Sequence, residues 1–496
     1  MYHSDFSADS IDTVSTRRRF LRGALSLGLF SLVPCSALSN PDDTVSFDIV
    51  VIGAGGAGLA AALAAAQKGV SVLVLEKMPM LGGNTFLAAG HLLSAKSQTP
   101  QETENNEKDI VEDILLEGRG YADLQRVREI VKESSDVVTW LQNNGANIEK
   151  HNLTPLSIGS QYRPLGHTPI GQELVQTLLH GLENKQVLIK ILSNVRQILI
   201  DDHGRVTGVR ISRPDGSTWQ ANASSIVLAT GGYSANDAMI EQYAPQYADY
   251  LTTNAPGATG DGIQMGRKLG ADIVDLDSII VHPTTMPFSG LILPRSARVN
   301  GGILLSDQGK RFTNELSRTV AADIHSKSHG SAWLILDQQC IDEAPPLQNY
   351  VRTGYLTKAN NTEELSRIMH LPVSTLTQEL VRYADYCANG QDPEFHRRSL
   401  TNDLTHFPLY VVRVHPGVHY TAGGIRTDQF CRVLSNGHPI PGLYAAGETV
   451  GGIFGRSRPE GTGLMLAMVS GRMAGEEAAK FALENPSPAI QKNRRP

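Results

Sequence analysis

A glycine-rich turn between a strand and a helix constrains this chain most. The apolar run at 47–52 is typical of a buried parallel strand, and it leads into Gly53-Ala54-Gly55-Gly56-Ala57-Gly58. An alanine-rich helix follows to about Lys68, and a second strand ends at Glu76. Glycines let backbone approach a pyrophosphate at a helix N terminus, and an acidic residue at this spacing accepts from ribose hydroxyls. The segment predicts a dinucleotide-binding unit contacted by Gly53, Gly55, Gly58 and Glu76.

The length and the distribution of motifs favour a cofactor domain with an insertion. A chain of 496 residues exceeds one ordinary hydrophobic core, so more than one domain is expected. Glycine-rich strand–turn–helix units occupy both ends, whereas the middle has mixed helix and strand patterns without dinucleotide motifs. We therefore predict an α/β fold in which an α+β capping domain interrupts a discontinuous Rossmann-like domain that binds the cofactor. The predicted division is cofactor domain 46–250, capping domain 251–405, cofactor domain 406–482 and tail 483–496.

The N-terminal residues predict an export signal that is not part of the fold. The run Thr16-Arg17-Arg18-Arg19-Phe20-Leu21-Arg22 precedes an uncharged apolar stretch from Gly23 to Leu38. That stretch is too short to span a bilayer stably, and Ala37-Leu38-Ser39 offers small residues for cleavage. The pattern over residues 1–39 resembles a twin-arginine signal, so we predict a periplasmic protein without a membrane span. A basic arm on a cytosolic protein is the alternative.

Charge and cysteine content argue against several classes of site. The formal net charge of −6, from 44 basic and 50 acidic residues, gives no general attraction to nucleic acid. The four cysteines form no Cys-x-x-Cys pair and no Cys-x-x-Cys-His haem motif. We therefore expect no metal site, no haem and no nucleic-acid partner.

Three segments near the C terminus place an imidazole and two guanidinium groups among glycines. They are the run 417–424 with His419, the run 441–448 that ends in Glu448, and Arg456-Ser457-Arg458. Backbone without Cβ atoms can approach a planar cofactor closely. Arginine grips a carboxylate through paired hydrogen bonds, and histidine can donate to the same oxygens. The segments indicate a site where a flavin meets a small carboxylate.

Four further motifs follow one another in a characteristic order. They are Gly82-Gly83-Asn84-Thr85, Thr259-Gly260-Asp261-Gly262, His282-Pro283-Thr284 and the run 310–315. With them, residues 46–480 resemble the flavoprotein subunit family of fumarate reductase and succinate dehydrogenase, and most of all its soluble periplasmic flavocytochrome c fumarate reductase and urocanate reductase branch. The resemblance implies an FAD-dependent oxidoreductase that reduces the C=C bond of a small unsaturated carboxylate, such as fumarate, urocanate or another 2-enoate.

The resemblance also implies which residues contact FAD. The glycine turn would hold the pyrophosphate and Glu76 the adenosine ribose, while the last helix would begin at the pyrimidine edge of the flavin. A helix N terminus there stabilises the anionic reduced flavin. Membrane-bound relatives attach flavin through a histidine where this chain has Asn84, so we expect noncovalent FAD. The further implied contacts are Asn84, Thr85, Ala89, Gly90, Val195, Asp261, Glu448, Gly463 and Leu464.

Around the substrate, the resemblance implies a division of roles. His282, His419 and Arg458 would hold carboxylates, and flavin N5 would deliver a hydride. The proton donor of the family is an arginine, matched by Arg318, and Arg298 matches a member of the relay that reprotonates it. Arginine is a poor acid in water, with an unperturbed pKa of about 12.5 or above. The role therefore requires neighbouring cations and a proton relay.

Two departures from the family pattern affect that relay. Arg295 stands where the relay carboxylate is expected, three residues before Arg298. The stretch 315–318 is one residue shorter than in fumarate reductases, so the assignment of Arg318 depends on a gap. Arg295 and Arg456 predict additional anion-binding groups. The alternative is that both face solvent or pair with acids such as Asp307.

The electron source and the direction of the reaction give the remaining expectations. Because no haem motif is present, we expect electrons to come from a separate redox partner, such as a cytochrome. The alternative activity is a dehydrogenase of the same family that acts on a tricarboxylate, an amino acid or a 3-ketosteroid. Steroid enzymes use tyrosines as acid and base, and Tyr420 is available. A third hypothesis is a non-catalytic flavin electron carrier that has lost its relay through Arg295.

Overall fold

The computed structural model describes residues 44–151, 159–166 and 168–487. The predicted export signal at 1–39 and residues 488–496 of the predicted tail lie outside them. The chain from Thr44 onward forms one unit by its internal contacts. Over the described ranges, every helix is too short or too polar to span a bilayer.

The first half of the described chain alternates strands and helices. In chain order they are β1 (Thr44–Ile52), α1 (Gly56–Gln67), β2 (Val72–Leu75), α2 (Gly83–Leu87), β3 (Leu92–Ser94), α3 (Pro100–Glu117), α4 (Leu124–Asn143), β4 (Ile148–His151), β5 (Ser160–Pro164), α5 (Ile170–Leu182), β6 (Val187–Lys190), β7 (Asn194–Ile200), β8 (Val206–Ser212), β9 (Thr218–Leu228) and α6 (Asp237–Tyr243).

The second half has more short elements before a long strand and a long final helix. They are β10 (Leu251–Thr252), α7 (Asp261–Lys268), β11 (Ile273–Val274), β12 (Ile279–Thr285), α8 (Arg295–Val299), β13 (Ile303–Leu305), α9 (Val320–Lys327), β14 (Ala332–Leu336), α10 (Gln338–Asp342), α11 (Pro345–Arg352), β15 (Thr357–Ala359), α12 (Thr362–Met369), α13 (Val373–Asn389), β16 (Leu409–Thr421), β17 (Gly424–Ile425), β18 (Arg432–Ser435), β19 (His438–Ala445) and α14 (Thr462–Glu484). Single 3₁₀ turns occupy Pro245–Tyr247 and Gly447–Thr449.

The first sheet carries the dinucleotide motif. Its strands run in the order β18-β19-β9-β1-β2-β6, and β8 and β7 extend from β9 as an antiparallel meander. β1 pairs in parallel with β2 and β9, and β9 with β19. All four side chains of β2 and the last five of β1 are buried, as expected of parallel strands covered by helices. The predicted α/β fold with a Rossmann-like cofactor unit is confirmed.

Two helices far apart in the sequence pack backbone against backbone next to this sheet. A Cβ atom at Gly471 of α14 would lie 2.4 Å from the carbonyl oxygen of Ala57 in α1, and one at Gly475 would lie 2.2 Å from that of Ala61. Almost every residue of α1 is buried. Small side chains therefore allow α14 to cover the helix that follows the glycine turn.

The second sheet is organised around β16. This strand pairs in parallel with β10 and antiparallel with β12, β14 and β15, and β13 joins through β14. Alternate side chains enter two separate clusters, for example Leu334 and Leu336 in one and Ile335 in the other. Helices α9, α10 and α11 contribute to the first cluster, whereas α12 and α13 contribute to the second. The sheet is thus buried on both faces.

The second sheet draws strands from both sides of the predicted boundary at 405/406. Strands β10 to β15 fall within the predicted capping domain 251–405, and β16 follows it at Leu409–Thr421. β16 therefore joins the predicted capping domain to the final cofactor segment. The division into domains stays a prediction.

Candidate active site

The glycine turn is closed by protein on one side and open on the other. Gly53 has φ +101°, and a Cβ atom there would lie 2.3 Å from the carbonyl oxygen of Ala229. A Cβ atom at Gly58 would lie 1.9 Å from the carbonyl oxygen of Gly53. At Gly55 the nearest atom would be 3.9 Å away, and at Gly90 no atom lies within 4 Å. The turn has room on its open side for a group that approaches the backbone.

Glu76, the residue after β2, is hydrogen-bonded to the glycine turn. Its Oε2 accepts from the N–H of Ala54 at 2.9 Å, and its Oε1 accepts from the N–H of Met78 at 2.8 Å. The carbonyl oxygen of Glu76 accepts from the N–H of Ser193, two residues before Val195. Val195 itself is buried in the core on β7. The carboxylate of Glu76 is oriented while lone pairs remain for ribose hydroxyls.

Asn84 and Thr85 connect α2 to its surroundings. The Oγ1 of Thr85 accepts from the N–H of Gly56 at 3.2 Å, so this side chain packs against the glycine turn. The Oδ1 of Asn84 accepts from the N–H of Ala255 at 2.7 Å. Ala89 and Gly90, which follow α2, are exposed. The predicted contacts 84–90 thus line the space next to the turn.

Asp261 and Glu448 are both held by other side chains. Asp261, the first residue of α7, forms an ion pair with Lys77 at 2.7 Å. The Oε1 of Glu448 accepts from the N–H and the hydroxyl of Thr421 at 2.9 and 3.1 Å. Burial raises the pKa of Glu448 to about 7, against the lowering effect of the Thr421 hydrogen bonds and the Arg458 charge.

Together these features fit FAD. The features are the open side of the glycine turn, the oriented carboxylate of Glu76 and the exposed backbone at Gly90. Helix α14 begins at Thr462 after Gly461, so Gly463 and Leu464 lie in its first turn. The free N–H groups of a helix start carry partial positive charge, which suits an anionic reduced flavin.

Two histidines face each other on neighbouring strands. The antiparallel pairing of β12 with β16 brings His282 and His419 together, with ring centroids 5.9 Å apart. The Nδ1 of His419 is in a hydrogen bond of 2.9 Å with the hydroxyl of Thr253, so Nε2 is the nitrogen that remains for another partner. Both rings keep some exposed surface although protein surrounds them, as expected of groups that line a cleft.

Both imidazoles are neutral at neutral pH. Burial and, to a smaller extent, the charge of Arg458 together lower the pKa of His419 to about 4. Burial holds the pKa of His282 well below its ordinary value, and His419 and the Arg298 guanidinium add to the effect. Neutral imidazoles can donate one N–H to a carboxylate without a second buried charge.

Arg458 joins the histidines to the start of α14. Its guanidinium lies 4.1 Å above the ring of Tyr420. A Cβ atom at Gly463 would lie 2.7 Å from the Nη2 of Arg458, so the guanidinium packs against the first turn of α14. The Nε of Arg458 is buried and has no hydrogen-bond partner among the described residues. A guanidinium with unused donors therefore lies beside the predicted flavin position.

Arg298 lies on α8, and its charge contributes to the lowered pKa of His282. It is 5% exposed, and its Nη1 donates to the carbonyl oxygen of Glu315 at 2.6 Å. Burial and the charge of Arg295 lower its pKa to about 10. Arg295, at the start of α8, is exposed and has no carboxylate within ion-pair distance in the described part of the chain.

The other two predicted arginines lie in acidic surroundings. The side chain of Arg318 is 59% exposed and pairs with Glu117 at 2.8 Å. No hydrogen bond, ion pair or ring contact among the described residues joins it to His282, His419 or Arg458. Arg456 pairs with Asp277 at 2.7 Å and lies over the ring of Tyr121, which agrees with the alternative that it pairs with an acid.

Comparisons with known proteins agree with this geometry. A protein-family model described as "FAD binding domain" matches residues 48–464. The chain belongs to this family. It is 33% identical over 90% of its length to "Probable fumarate reductase Ifc3" of Shewanella frigidimarina (strain NCIMB 400), covering 76% of that protein. It is 29% identical over 88% of its length to "Urocanate reductase" of Eggerthella lenta, covering 75% of that protein.

A solved structure extends the similarity to the fold. The chain superposes on the open conformation of a flavocytochrome c3 fumarate reductase with a TM-score of 0.80 and 30% identity, covering 97% of this chain and 83% of that one. The resemblance to the fumarate reductase flavoproteins is therefore confirmed, with FAD as the cofactor. The flavoprotein is an FAD-dependent oxidoreductase that acts on CH–CH bonds.

The structure adds polar residues that no sequence motif marks. The register of β3 with β5, in which Leu92 pairs with Tyr162, brings His91 opposite Arg163. A Cβ atom at Gly461 would lie 2.7 Å from the Nε2 of His91, so this buried ring packs against the start of α14. Glu460, the residue before, is exposed. In the sequence, His91 and Glu460 are marked only by their predicted neighbours. His91 follows Gly90, and Glu460 lies between Arg458 and Gly463.

Proposed function

We propose that this flavoprotein reduces the C=C bond of a small unsaturated carboxylate, such as fumarate, urocanate or another 2-enoate. The observation that carries the proposal is the cluster of His282, His419 and Arg458 at the N terminus of α14, with the two imidazole centroids 5.9 Å apart. Relatives named as fumarate, urocanate and acrylate reductases support the same substrate class. Each of these names describes an acid with a C=C bond next to a carboxylate.

The charges of the cluster suit one end of such a substrate. Arg458 contributes a fixed positive charge and a buried, unpartnered Nε–H, which would bind a carboxylate through charge-assisted hydrogen bonds. His282 and His419 are neutral, so each would donate an N–H to a carboxylate or carbonyl oxygen. Polarising the acid in this way draws electron density from the C=C bond and prepares it for reduction.

The cofactor would be held without a covalent bond. Gly53, Gly55 and Gly58 would hold the pyrophosphate, Glu76 the ribose, and the first turn of α14 the flavin ring. Asn84 offers an amide, which has no nucleophilic atom for attachment, and its Oδ1 is already engaged by Ala255. The further predicted contacts are Thr85, Ala89, Gly90, Val195, Asp261 and Glu448. When bound and reduced, FAD supplies the two electrons, as a hydride, that saturation of a C=C bond needs.

The cellular setting belongs to the same proposal. The arginine-rich signal at 16–22 favours export to the periplasm through the twin-arginine route. Electrons would come from a separate partner, and one relative is named "Fumarate reductase (cytochrome)". We therefore propose a small one-electron carrier, such as a cytochrome, as the electron donor.

The dehydrogenase alternative has less support at the residue it needs. Among similar solved structures is a 3-ketosteroid Δ4-(5α)-dehydrogenase at 26% identity with a TM-score of 0.65. A tyrosine acid or base must be reachable and must exchange its proton. Here Tyr420 is buried beneath the Arg458 guanidinium, and burial raises the pKa of its hydroxyl far above the ordinary value. The geometry therefore favours reduction of an acid over steroid oxidation.

The test is anaerobic reoxidation of the reduced flavin. The purified holoenzyme is photoreduced without oxygen, mixed with fumarate, urocanate or acrylate, and followed at the absorbance of oxidised flavin. At least one acid should return the oxidised spectrum with saturable kinetics. Succinate, which has no C=C bond, is the control and should not reoxidise the flavin. If every unsaturated acid behaves like buffer, the proposed function is wrong.

A further inference from the structure

The segment that follows β10 lies between Asn84, a predicted cofactor contact, and the His419 imidazole. β10 pairs in parallel with the Gly417–Val418 part of β16, so the next residue, Thr253, lies beside His419. The hydroxyl of Thr253 is 2.9 Å from the Nδ1 of His419. Either atom of that pair can be the donor, and the direction decides what the other ring nitrogen offers to a substrate.

The direction of this hydrogen bond follows from a chain of amide contacts that begins at Asn84. The Oδ1 of Asn84 accepts from the N–H of Ala255 at 2.7 Å. Its Nδ2 is therefore the donor to the Oδ1 of Asn254. The Nδ2 of Asn254 is then a donor in turn, and it lies 3.0 Å from the carbonyl oxygen of His419 and 3.3 Å from that of Val418. One backbone N–H thus determines the orientation of both amides.

The carbonyl oxygen of Val418 competes with His419 for the hydroxyl proton of Thr253. That contact is 3.4 Å long, beyond the usual length of an O–H···O hydrogen bond, about 2.5–3.0 Å. The same oxygen already accepts from the N–H of Thr253 at 3.1 Å and from the Nδ2 of Asn254 at 3.3 Å, and a carbonyl oxygen has two lone pairs. The hydroxyl proton of Thr253 is therefore directed to the Nδ1 of His419.

We propose that Thr253 is a positioning residue that fixes His419 as the tautomer with its proton on Nε2. When Nδ1 accepts a hydrogen bond, a neutral imidazole carries its single proton on Nε2. Burial and the charge of Arg458 keep the ring neutral at neutral pH, with a pKa of about 4.

The tautomer decides which chemical group His419 recognises, and this consequence rests on the function proposed above. With its proton on Nε2, the ring offers an N–H to the substrate. The matching group is an oxygen that only accepts hydrogen bonds, such as that of an ionised carboxylate. The opposite tautomer would turn a lone pair toward the same oxygen and repel it. Thr253 would therefore select for the anionic end of the acid without contacting it.

The packing around Thr253 holds its hydroxyl in place. A Cβ atom at Gly417 would lie 3.3 Å from the Cγ2 of Thr253, so the methyl group packs against a glycine of β16. A β-branched side chain has restricted rotation about χ1, and the position of the methyl group therefore fixes that of the hydroxyl. Valine has the same branched shape without the hydroxyl, which makes Thr253→Val a suitable test of the hydrogen bond.

The first experiment reads the tautomer in the holoenzyme before any substrate is added. Long-range ¹H–¹⁵N NMR of protein labelled with ¹⁵N-histidine distinguishes a ring nitrogen that carries a proton from one that does not. The signals that disappear in His419→Gln assign His419. In the wild type, Nε2 should carry the proton and Nδ1 should not. In Thr253→Val, the two nitrogen signals should move toward each other, because the two neutral tautomers exchange. A proton on Nδ1 in the wild type, or an unchanged pattern in Thr253→Val, would overturn the proposal.

The second experiment measures reoxidation of photoreduced flavin by the acid that the wild type reduces. Thr253→Val should lower kcat/KM about 2–13-fold, the range for one hydrogen bond, mainly through a higher KM. Its FAD content should equal that of the wild type. Thr253→Ser keeps the hydroxyl and should restore most of kcat/KM. Thr357→Val makes the same exchange at an exposed position on β15 and should leave kcat/KM unchanged.

The outcomes separate this proposal from the proposed function. If no unsaturated acid reoxidises the flavin, the proposed function is wrong, and NMR still decides the tautomer of His419. If an acid reacts and Thr253→Val has the KM of the wild type, the hydroxyl does not position His419 for the substrate. A Thr253→Ser enzyme as impaired as Thr253→Val would likewise contradict the proposal, because the loss would then come from packing and not from the hydrogen bond.

Discussion

The cofactor side and the substrate side of the site are built in different ways. On the cofactor side, backbone does most of the work, and Gly53 and Gly58 lie so close to other backbone atoms that any side chain would clash. On the substrate side, the groups are charged or polar side chains from four distant segments, namely His282, Arg298, His419 and Arg458. The cofactor side therefore depends on glycines that have no side chain. The substrate side depends on polar side chains in a cleft of low dielectric constant.

The difference shows where each half is vulnerable. The glycine turn 53–58, which we call the cradle, is damaged by any substitution that adds a side chain. Backbone packed against backbone has little room to relax around added atoms. Substrate binding in the polar cleft is weakened by loss of a charge or by a change of protonation, because electrostatic interactions are stronger in a buried site. Substitutions can therefore be chosen that damage one half and leave the other intact.

The largest effect is expected from glycine replacements in the turn. Gly58→Ala would place a Cβ atom 1.9 Å from the carbonyl oxygen of Gly53, so we expect loss of both FAD and the native fold. Gly55→Ala meets no protein atom closer than 3.9 Å, so it should fold and yet lose FAD. The ratio of flavin to protein absorbance and the circular dichroism of each variant measure the two outcomes. Full retention of FAD in Gly55→Ala would show that the open side does not receive the cofactor.

Arg458→Ala should give the next largest effect, confined to the substrate half. Loss of charge-assisted hydrogen bonds to a carboxylate, about 1.5–3 kcal/mol, predicts a fall in kcat/KM of about 10–150-fold with bound FAD retained. Arg456→Ala is the matched control two residues away, since Arg456 pairs with Asp277 at the surface and should change kcat/KM by less than twofold. Equal effects of the two substitutions would remove Arg458 from the substrate site.

Protonation of buried histidines should cause a moderate loss of stability in acid. The pKa of His91 is about 4 in the folded protein, lowered by burial and by the Arg163 charge, whereas it is about 6.5 in the unfolded chain. As pH falls below 6.5 the unfolded state takes up the proton first, so the stabilisation present above pH 6.5 is lost toward pH 4. For this one group the loss at pH 4.5 is on the order of 2 kcal/mol.

Urea unfolding at pH 7.5 and pH 5 measures this dependence. His91→Asn should reduce the difference between the two pH values, because the titrating group is gone. His438→Asn replaces an exposed histidine and should leave the difference unchanged. A wild-type free energy of unfolding that is equal at both pH values would contradict the buried, neutral state of His91.

The smallest effect is expected at Lys77. Its ion pair with Asp261 is partly exposed, with side-chain exposures of 24% and 33%, and such pairs contribute about 0–1 kcal/mol. Lys77→Ala should therefore weaken FAD binding by less than about fivefold, measured by fluorescence of released flavin during dialysis. A larger loss of FAD affinity would mean that Lys77 contacts the cofactor directly, so that side chains as well as backbone bind FAD.

The two halves also differ in how far the sequence predicts them. The cradle is local, because Gly53, Gly58 and Glu76 lie within one strand–helix–strand unit, and short-range pattern was enough to predict that unit. The substrate half depends on partners far along the chain. Arg397 reaches Arg298 across 99 positions, and the partner of Arg318 is Glu117, far upstream in α3. Residue type alone does not reveal which distant acid or carbonyl a given arginine meets.

Single residues show why partners in the tertiary structure cannot be predicted from residue type. Arg456 and Arg458 lie two positions apart in the same glycine-rich loop, yet one pairs with Asp277 and the other lies over Tyr420. No local pattern marks His91, because its position opposite Arg163 depends on the register of β3 with β5, which is set by tertiary contacts. The family motifs contain His282 and His419, whereas the 5.9 Å between their rings depends on the long-range pairing of β12 with β16.

The close packing of α1 against α14 has a consequence for the order of events during synthesis. The helix behind the glycine turn, Gly56–Gln67, is made before most strands of the two sheets, while its cover, Thr462–Glu484, is made after all of them. Until Gly471 and Gly475 have docked on the backbone of α1, the first turn of α14 is not in place beside the predicted flavin position. We therefore expect flavin to bind only after α14 has been made, so a nascent chain stalled before α14 should stay colourless.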